Sequence, residues 1–150
     1  MSVFLTVRCA ADRCPRGSTL HINERITSEN GRYFFTMQED GNLVIYCDED
    51  KVNWDSHTSA TRVRDGLVFQ EDGNMVLYGP DGEVHWSNNV QGQDGQQLIM
   101  QNDGNLVLYT DVISVETAVW HTHTHGKCGT RNFLLFHSDI NYLYCHFDYR

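Results

Sequence analysis

Phe69-Gln70-Glu71-Asp72-Gly73-Asn74-Met75-Val76-Leu77-Tyr78 decides the fold, because the same pattern occurs three times in the chain. Aligned on its glutamine, it returns as Met37-Gln38-Glu39-Asp40-Gly41-Asn42-Leu43-Val44-Ile45-Tyr46 and as Met100-Gln101-Asn102-Asp103-Gly104-Asn105-Leu106-Val107-Leu108-Tyr109. The glutamines lie 32 and 31 residues apart, and every copy keeps Q-x-D-x-N-x-V-x-Y while the residues between them drift. A tryptophan trails each copy, Trp54 and Trp86 eight residues past the tyrosine and Trp120 eleven past it. The extra length of the third copy lies in Thr110 to Ala118, which reads as a longer hairpin loop. A repeat of this period is a unit too small to bury its own apolar face, so its copies must pack on one another.

The middle copy shows the local structure most plainly. Leu67-Val68-Phe69 is an apolar run, Asp72-Gly73-Asn74 is a polar break, and Asn74 to Tyr78 alternates. Gly79-Pro80-Asp81-Gly82 signals a turn, and Glu83-Val84-His85-Trp86-Ser87 reads as a further strand. No segment sustains a helical period with caps, so the chain reads as nearly all β. About four strands in each unit of ~31 residues predict three small sheets. Turned inward about a pseudo-threefold axis, they share one core, which the three tryptophans are placed to fill.

Side chains alternate along a strand, which predicts that Gln38, Asp40, Asn42, Val44 and Tyr46 share a face while Leu43 and Ile45 point to the core. The same split gives Gln70, Asp72, Asn74, Val76 and Tyr78, and then Gln101, Asp103, Asn105, Val107 and Tyr109. By the same alternation Glu39 and Glu71 point away from these groups. Each ligand-facing set offers an amide, a carboxylate, a second amide, a small apolar patch and a phenol. A sugar hydroxyl both donates and accepts, so such a mixture suits a pyranose, with the hydroxyl–carboxylate bonds the strongest. Asp-Gly-Asn alone is ordinary turn chemistry. Fold repetition explains recurring core residues, but it does not require recurring exposed Gln, Asp, Asn and Tyr.

The bulk properties agree. Eleven Lys and Arg against 20 Asp and Glu leave a net charge of −9, which argues against nucleic acid or an anionic membrane surface as partner. No apolar run approaches the ~20 residues of a spanning helix. Met1 to Arg8 has a brief apolar stretch with no basic region before it, too short for a signal peptide. There is no N-x-S/T sequon, and the localisation stays open between a secreted or mucus-surface product and a cytoplasmic one. Five cysteines leave one unpaired within the chain; Cys128 can bridge Cys145 and Cys9 can bridge Cys14, but spacing does not decide connectivity. Without a C-x-x-C pair, a cysteine-built zinc site is a weak reading.

The triplicate Q-x-D-x-N-x-V-x-Y resembles the signature of the bulb-type lectins (monocot mannose-binding, snowdrop-like). Trp120-His121-Thr122-His123-Thr124-His125-Gly126 is similar to that family's closing strand. The resemblance covers about residues 17–126, leaving 1–16 as an N-terminal extension and 127–150 as a C-terminal tail. It implies a β-prism II fold, with three four-stranded antiparallel sheets around a pseudo-threefold axis and one mannose site per sheet. It further implies that Asp40 and Asn42 bind the axial 2-hydroxyl, Gln38 the 3-hydroxyl and Tyr46 the 4-hydroxyl, with Val44 on the ring carbons, and likewise in the other two copies. Binding needs no metal and no cofactor, and the partners are mannose-containing glycans. The C-terminal strand of such proteins often swaps between protomers, which implies a homodimer or homo-oligomer. Plant members usually carry a cysteine where this chain has Gly41, so the disulfide joining their first two repeats is absent; the animal style, as in fish mucus lectins, is closer. Agglutination and innate defence are the roles that follow.

Other readings carry less. His121, His123 and His125 alternate and can face one way, as a zinc or copper cluster would. The resemblance instead makes them a strand surface, with no metal. Asp48-Glu49-Asp50 lacks the ligand spacing of a calcium loop and reads as a solvated hairpin tip. The aromatic tail, with Phe133 to Phe136 and Tyr142 to Tyr144, can add strands or stay exposed. Glycoside hydrolysis needs two carboxyls across one bond, about 5–9.5 Å apart. Asp40, Asp72 and Asp103 stand singly on separate sheets, so no enzyme is expected. The alternative function is a cytoplasmic, comitin-like protein that bridges actin and glycosylated membranes.

Overall fold

The computed structural model describes residues 7–129, so the tail's aromatic clusters and Cys145 lie outside the described residues. Twelve short strands follow one another: β1 (Arg13–Pro15), β2 (Thr19–His21), β3 (Arg25–Thr27), β4 (Tyr33–Met37), β5 (Leu43–Cys47), β6 (Lys51–Asp55), β7 (Gly66–Phe69), β8 (Met75–Tyr78), β9 (Val84–Ser87), β10 (Gln97–Met100), β11 (Leu106–Tyr109) and β12 (Ala118–His121). They form three four-stranded antiparallel sheets, ordered β3-β4-β5-β6, β2-β7-β8-β9 and β1-β10-β11-β12. The long hairpin loop of the third repeat holds a single 3-10 turn, Val115–Thr117.

Each repeat supplies only three consecutive strands to its hairpin meander, one fewer than its length suggests. The fourth strands come from the segment 13–27, whose three pieces β1, β2 and β3 each join a different sheet. Arg13–Pro15, ahead of the region of resemblance, is thus the edge of the third sheet. Such three-residue strands are too short to show a period, and they are held by pairing rather than by propensity.

The register lines up one apolar row across every sheet: Ile26-Phe35-Ile45-Trp54, Leu20-Leu67-Leu77-Trp86 and Cys14-Leu98-Leu108-Trp120. These rows meet in a single core. Ile45, Leu77 and Leu108 are completely covered, each stabilising the fold by about 1.5–3 kcal/mol. The tryptophans pack against the core while staying half-buried. Trp86 meets Trp54 and Trp120 edge to face at 6.1 and 6.0 Å, the arrangement favoured by ring quadrupoles.

Two disulfides occur among the described residues. Cys9 bridges Cys14, one of the two pairings open from sequence. Cys128 bridges Cys47 on β5 and not Cys145, tying the chain after Gly126 to the first sheet. Asp48 differs from a solvated hairpin tip: it is half-buried beside that bridge, and Arg32 donates two bonds to its carboxylate at 2.9 and 3.1 Å.

Candidate functional site

The polar half of each motif is built by a turn, not by a strand. Strand β4 ends at Met37 and β5 begins at Leu43, so Gln38 to Asn42 is the hairpin connection. Strand alternation therefore does not place Gln38, Asp40 and Asn42; local hydrogen bonds do. The Gln38 N–H donates to the Asn42 carbonyl, the Gly41 N–H donates to the Gln38 carbonyl, and the Asn42 N–H donates to Asp40 Oδ1 at 3.0 Å. The second and third copies repeat all three bonds. The glycine takes φ of +91°, +83° and +88° in turn, a left-handed conformation that favours glycine. The turn chemistry of Asp-Gly-Asn and the site are thus one structure. It also explains why Glu39 is not turned away: it is exposed on the same side as Gln38, at the rim of a groove.

Alternation holds from the strand onward and delivers Val44 and Tyr46, Val76 and Tyr78, Val107 and Tyr109. A register shift falls before the tyrosine in every sheet, between Ile45 and Tyr46, Leu77 and Tyr78, and Leu108 and Tyr109. Such a bulge re-aims a side chain. In all three copies the glutamine Nε2 donates to the tyrosine oxygen at 2.6 Å. The amide thereby fixes the phenol oxygen at the same place in every copy. The three valines are almost covered and form a floor rather than a wall.

The asparagines are buried. Their carbonyl ends hold the following loop: Asn42 Oδ1 accepts from the Ser56 hydroxyl and the Thr58 N–H, Asn74 Oδ1 from Ser87 and the Val90 N–H, and Asn105 Oδ1 from Thr122 and the Thr124 N–H. Their amide ends face different neighbours. Asn42 Nδ2 donates to Asp55 Oδ2 at 3.0 Å, while Asn105 Nδ2 lies 3.4 Å from His121 Nδ1.

Asp55, Ser87 and His121 occupy one register position, opposite Val44, Val76 and Val107. Strand alternation within the motif does not reveal them; each is the residue that follows its repeat's tryptophan. The hydrogen bond from Asn42, aided by His57, holds the Asp55 carboxyl below the usual range despite burial. Burial pushes His121 below the usual histidine value, with His123 and His125 adding to the effect. The rings of His121 and His123 lie 3.8 Å apart.

Nor are the three sites equally open. Gln38, Gln70 and Gln101 are half-buried, Asp40 and Asp72 exposed, and Asp103 half-buried. Tyr46 and Tyr78 are half-buried, but Tyr109 is only 2% exposed and packs with Ile99, Val107 and Ala118. Among the described residues, one cluster brings three metal-ligating atoms together, those of Cys47, Asp48 and Cys128. Its sulfurs are joined to one another and its carboxylate takes Arg32, which makes it a crosslink.

No protein-family model matches the chain, and no curated protein does. Solved structures do. The Japanese Marasmius oreades lectin is 30% identical over 79% of this chain and 95% of that one, with a TM-score of 0.67. Monomeric monocot mannose-binding lectins from Gastrodia elata reach 34% identity over 77% and 99%, with a TM-score of 0.65. The mannose-specific agglutinin of snowdrop (Galanthus nivalis) bulbs, solved with methyl-α-D-mannoside, reaches 36% over 76% and 97%, with a TM-score of 0.60. The three sheets and their repeated constellation define a lectin with the β-prism II fold. The chain belongs to the bulb-type, monocot mannose-binding lectin family.

Proposed function

We propose that the protein binds terminal α-D-mannose of high-mannose glycans, without a metal ion, at Gln38-Asp40-Asn42-Val44-Tyr46 and its two counterparts. The observation that carries this reading is the thrice-repeated pair in which glutamine donates to tyrosine at 2.6 Å, next to a carboxylate tethered by one oxygen. A hydroxyl that donates to the aspartate and a neighbour that bridges the Gln–Tyr pair are the contacts such a site offers. Snowdrop agglutinin, similar in fold and 36% identical, was solved with a mannoside.

A shallow site of a few hydrogen bonds binds weakly, on the order of millimolar or about −4 kcal/mol. Strength on a glycan-covered surface comes from several sites engaging together, which suits agglutination and a defensive role. No reaction is expected. Asp55 brings a second carboxylate near the first site, but its bonds to Asn42 and His57 keep it ionised and unsuited to act as the general acid of hydrolysis.

Retention on mannose-agarose, with and without EDTA, tests the reading. Wild-type protein is expected to be retained in both and eluted by methyl α-mannoside, and the combined Asp40→Ala, Asp72→Ala, Asp103→Ala variant to flow through. Retention of the triple variant, or loss of binding in EDTA, defeats it.

A further inference from the structure

The outer faces of the three sheets carry the same motif, but their flanking strands differ. Opposite the motif tyrosine stands Phe34 in the first sheet and Gln97 in the third, while in the second Gly66 lies one residue beyond the Leu67–Leu77 pair. Only the first sheet therefore extends its tyrosine into an aromatic row. Phe34 stacks on Tyr46 with ring centroids 5.1 Å apart and planes 24° apart, and the Arg25 guanidinium lies 4.9 Å from the Phe34 centroid on the next strand. A groove of about 740 Å³ runs over this row from Gln38 and Tyr46, with Glu49 and Asp50 on its rim.

We propose that the first site continues into a subsite for a second, neutral sugar residue, so that it reads a mannose disaccharide where the other two sites read a single terminal residue. This deepens the mannose-binding reading and rests on it. The groove is continuous with Gln38 and Tyr46, so a residue linked to the bound mannose enters it without leaving the sheet. Phe34 supplies apolar surface for sugar C–H groups. Arg25 donates to hydroxyl oxygens, and Glu49 and Asp50 accept from hydroxyls. Glu39, Glu49 and Asp50 outnumber the one guanidinium around the groove, which disfavours an anionic sugar there.

The test uses the full chain carrying Asp72→Ala and Asp103→Ala, which leaves the first site alone. Calorimetric or NMR titration compares methyl α-mannoside with α-1,2-, α-1,3- and α-1,6-mannobiosides. At least one mannobioside is expected to bind roughly tenfold tighter than the monosaccharide. Phe34→Gln, which installs the residue of the third repeat, should bring that ratio to near one, and Phe34→Tyr should retain most of it. Equal affinity for all four sugars, or a ratio that Phe34→Gln leaves unchanged, overturns the subsite while the mannose reading stands. Binding of none of them removes the mannose reading and the subsite with it.

Discussion

The Asn42 side chain donates to Asp55 Oδ2 at 3.0 Å, and the other Asp55 oxygen lies 2.9 Å from His57 Nδ1. A carboxylate held this way titrates below its usual range in the folded chain. Because the unfolded chain binds that proton more readily, the contribution to stability is complete above the unfolded aspartate pKa. It is lost as pH falls through the lower folded value. Melting curves from pH 6 to 2.5 should therefore fall more steeply for the wild type than for Asp55→Asn, which cannot ionise. Parallel curves would show that Asp55 contributes nothing.

What could be read from the sequence, and what could not, follows from repetition. Gln38, Asp40, Asn42, Val44 and Tyr46 recur with their spacing intact, so the candidate site, the three sheets and the tryptophans that pack on the core are legible. Their polar members read as strand although they form its turn, because Asp-Gly-Asn embedded in an alternating pattern satisfies both readings. Asp55, Ser87 and His121 share one position yet differ in every repeat, and no pattern search detects a site residue that changes each time. Strands β1 to β3 occur once each, three residues long, and acquire meaning only from the sheets they complete. The Cys47–Cys128 pairing depends on where the chain runs after Gly126, which spacing does not report.

That disulfide closes a loop spanning 81 residues in sequence. Loops of this size restrict the unfolded chain strongly, and losing such a bridge costs about 2–4 kcal/mol. Cys128→Ser should lower the denaturant midpoint accordingly, with a steeper denaturant dependence because the unfolded chain, freed of its crosslink, exposes more surface. Peptide mapping of the oxidised protein should recover Cys47 joined to Cys128; recovery of Cys128 joined to Cys145 would contradict this connectivity.

Gly41 turns the first motif with a φ of +91°. A Cβ on it would run into the carbonyl oxygen of Thr61. Left-handed strain and that clash together predict that Gly41→Cys destabilises the fold by about 1–3 kcal/mol. Thermal melts in reductant measure it, and an unchanged midpoint would mean that the turn relaxes freely. Mannose affinity of the first site should fall too, since the Gly41 N–H bond to the Gln38 carbonyl shapes the turn that carries Asp40.

Tyr109 and His121 predict that the third site behaves unlike the others. The Tyr109 ring is almost fully covered, so a sugar gains less from it than from Tyr46 or Tyr78. His121, near Asn105 Nδ2, can accept from that amide only while its Nδ1 is unprotonated. Its folded pKa is lowered, first by burial and then by His123 and His125, with Asp103 opposing. The unfolded histidine therefore takes a proton first, so its contribution to stability is full above the usual value of 6.5 and declines as pH drops through the folded one. Stability should decrease from pH 7.5 to pH 5, and His121→Gln, whose amide oxygen still accepts from Asn105, should flatten that slope. In mannoside titrations followed by NMR, resonances around Asp103 should saturate last at pH 7.5 and later still at pH 5.5. Equal saturation of all three sites at both values would show that neither the buried tyrosine nor the histidine sets the third site apart.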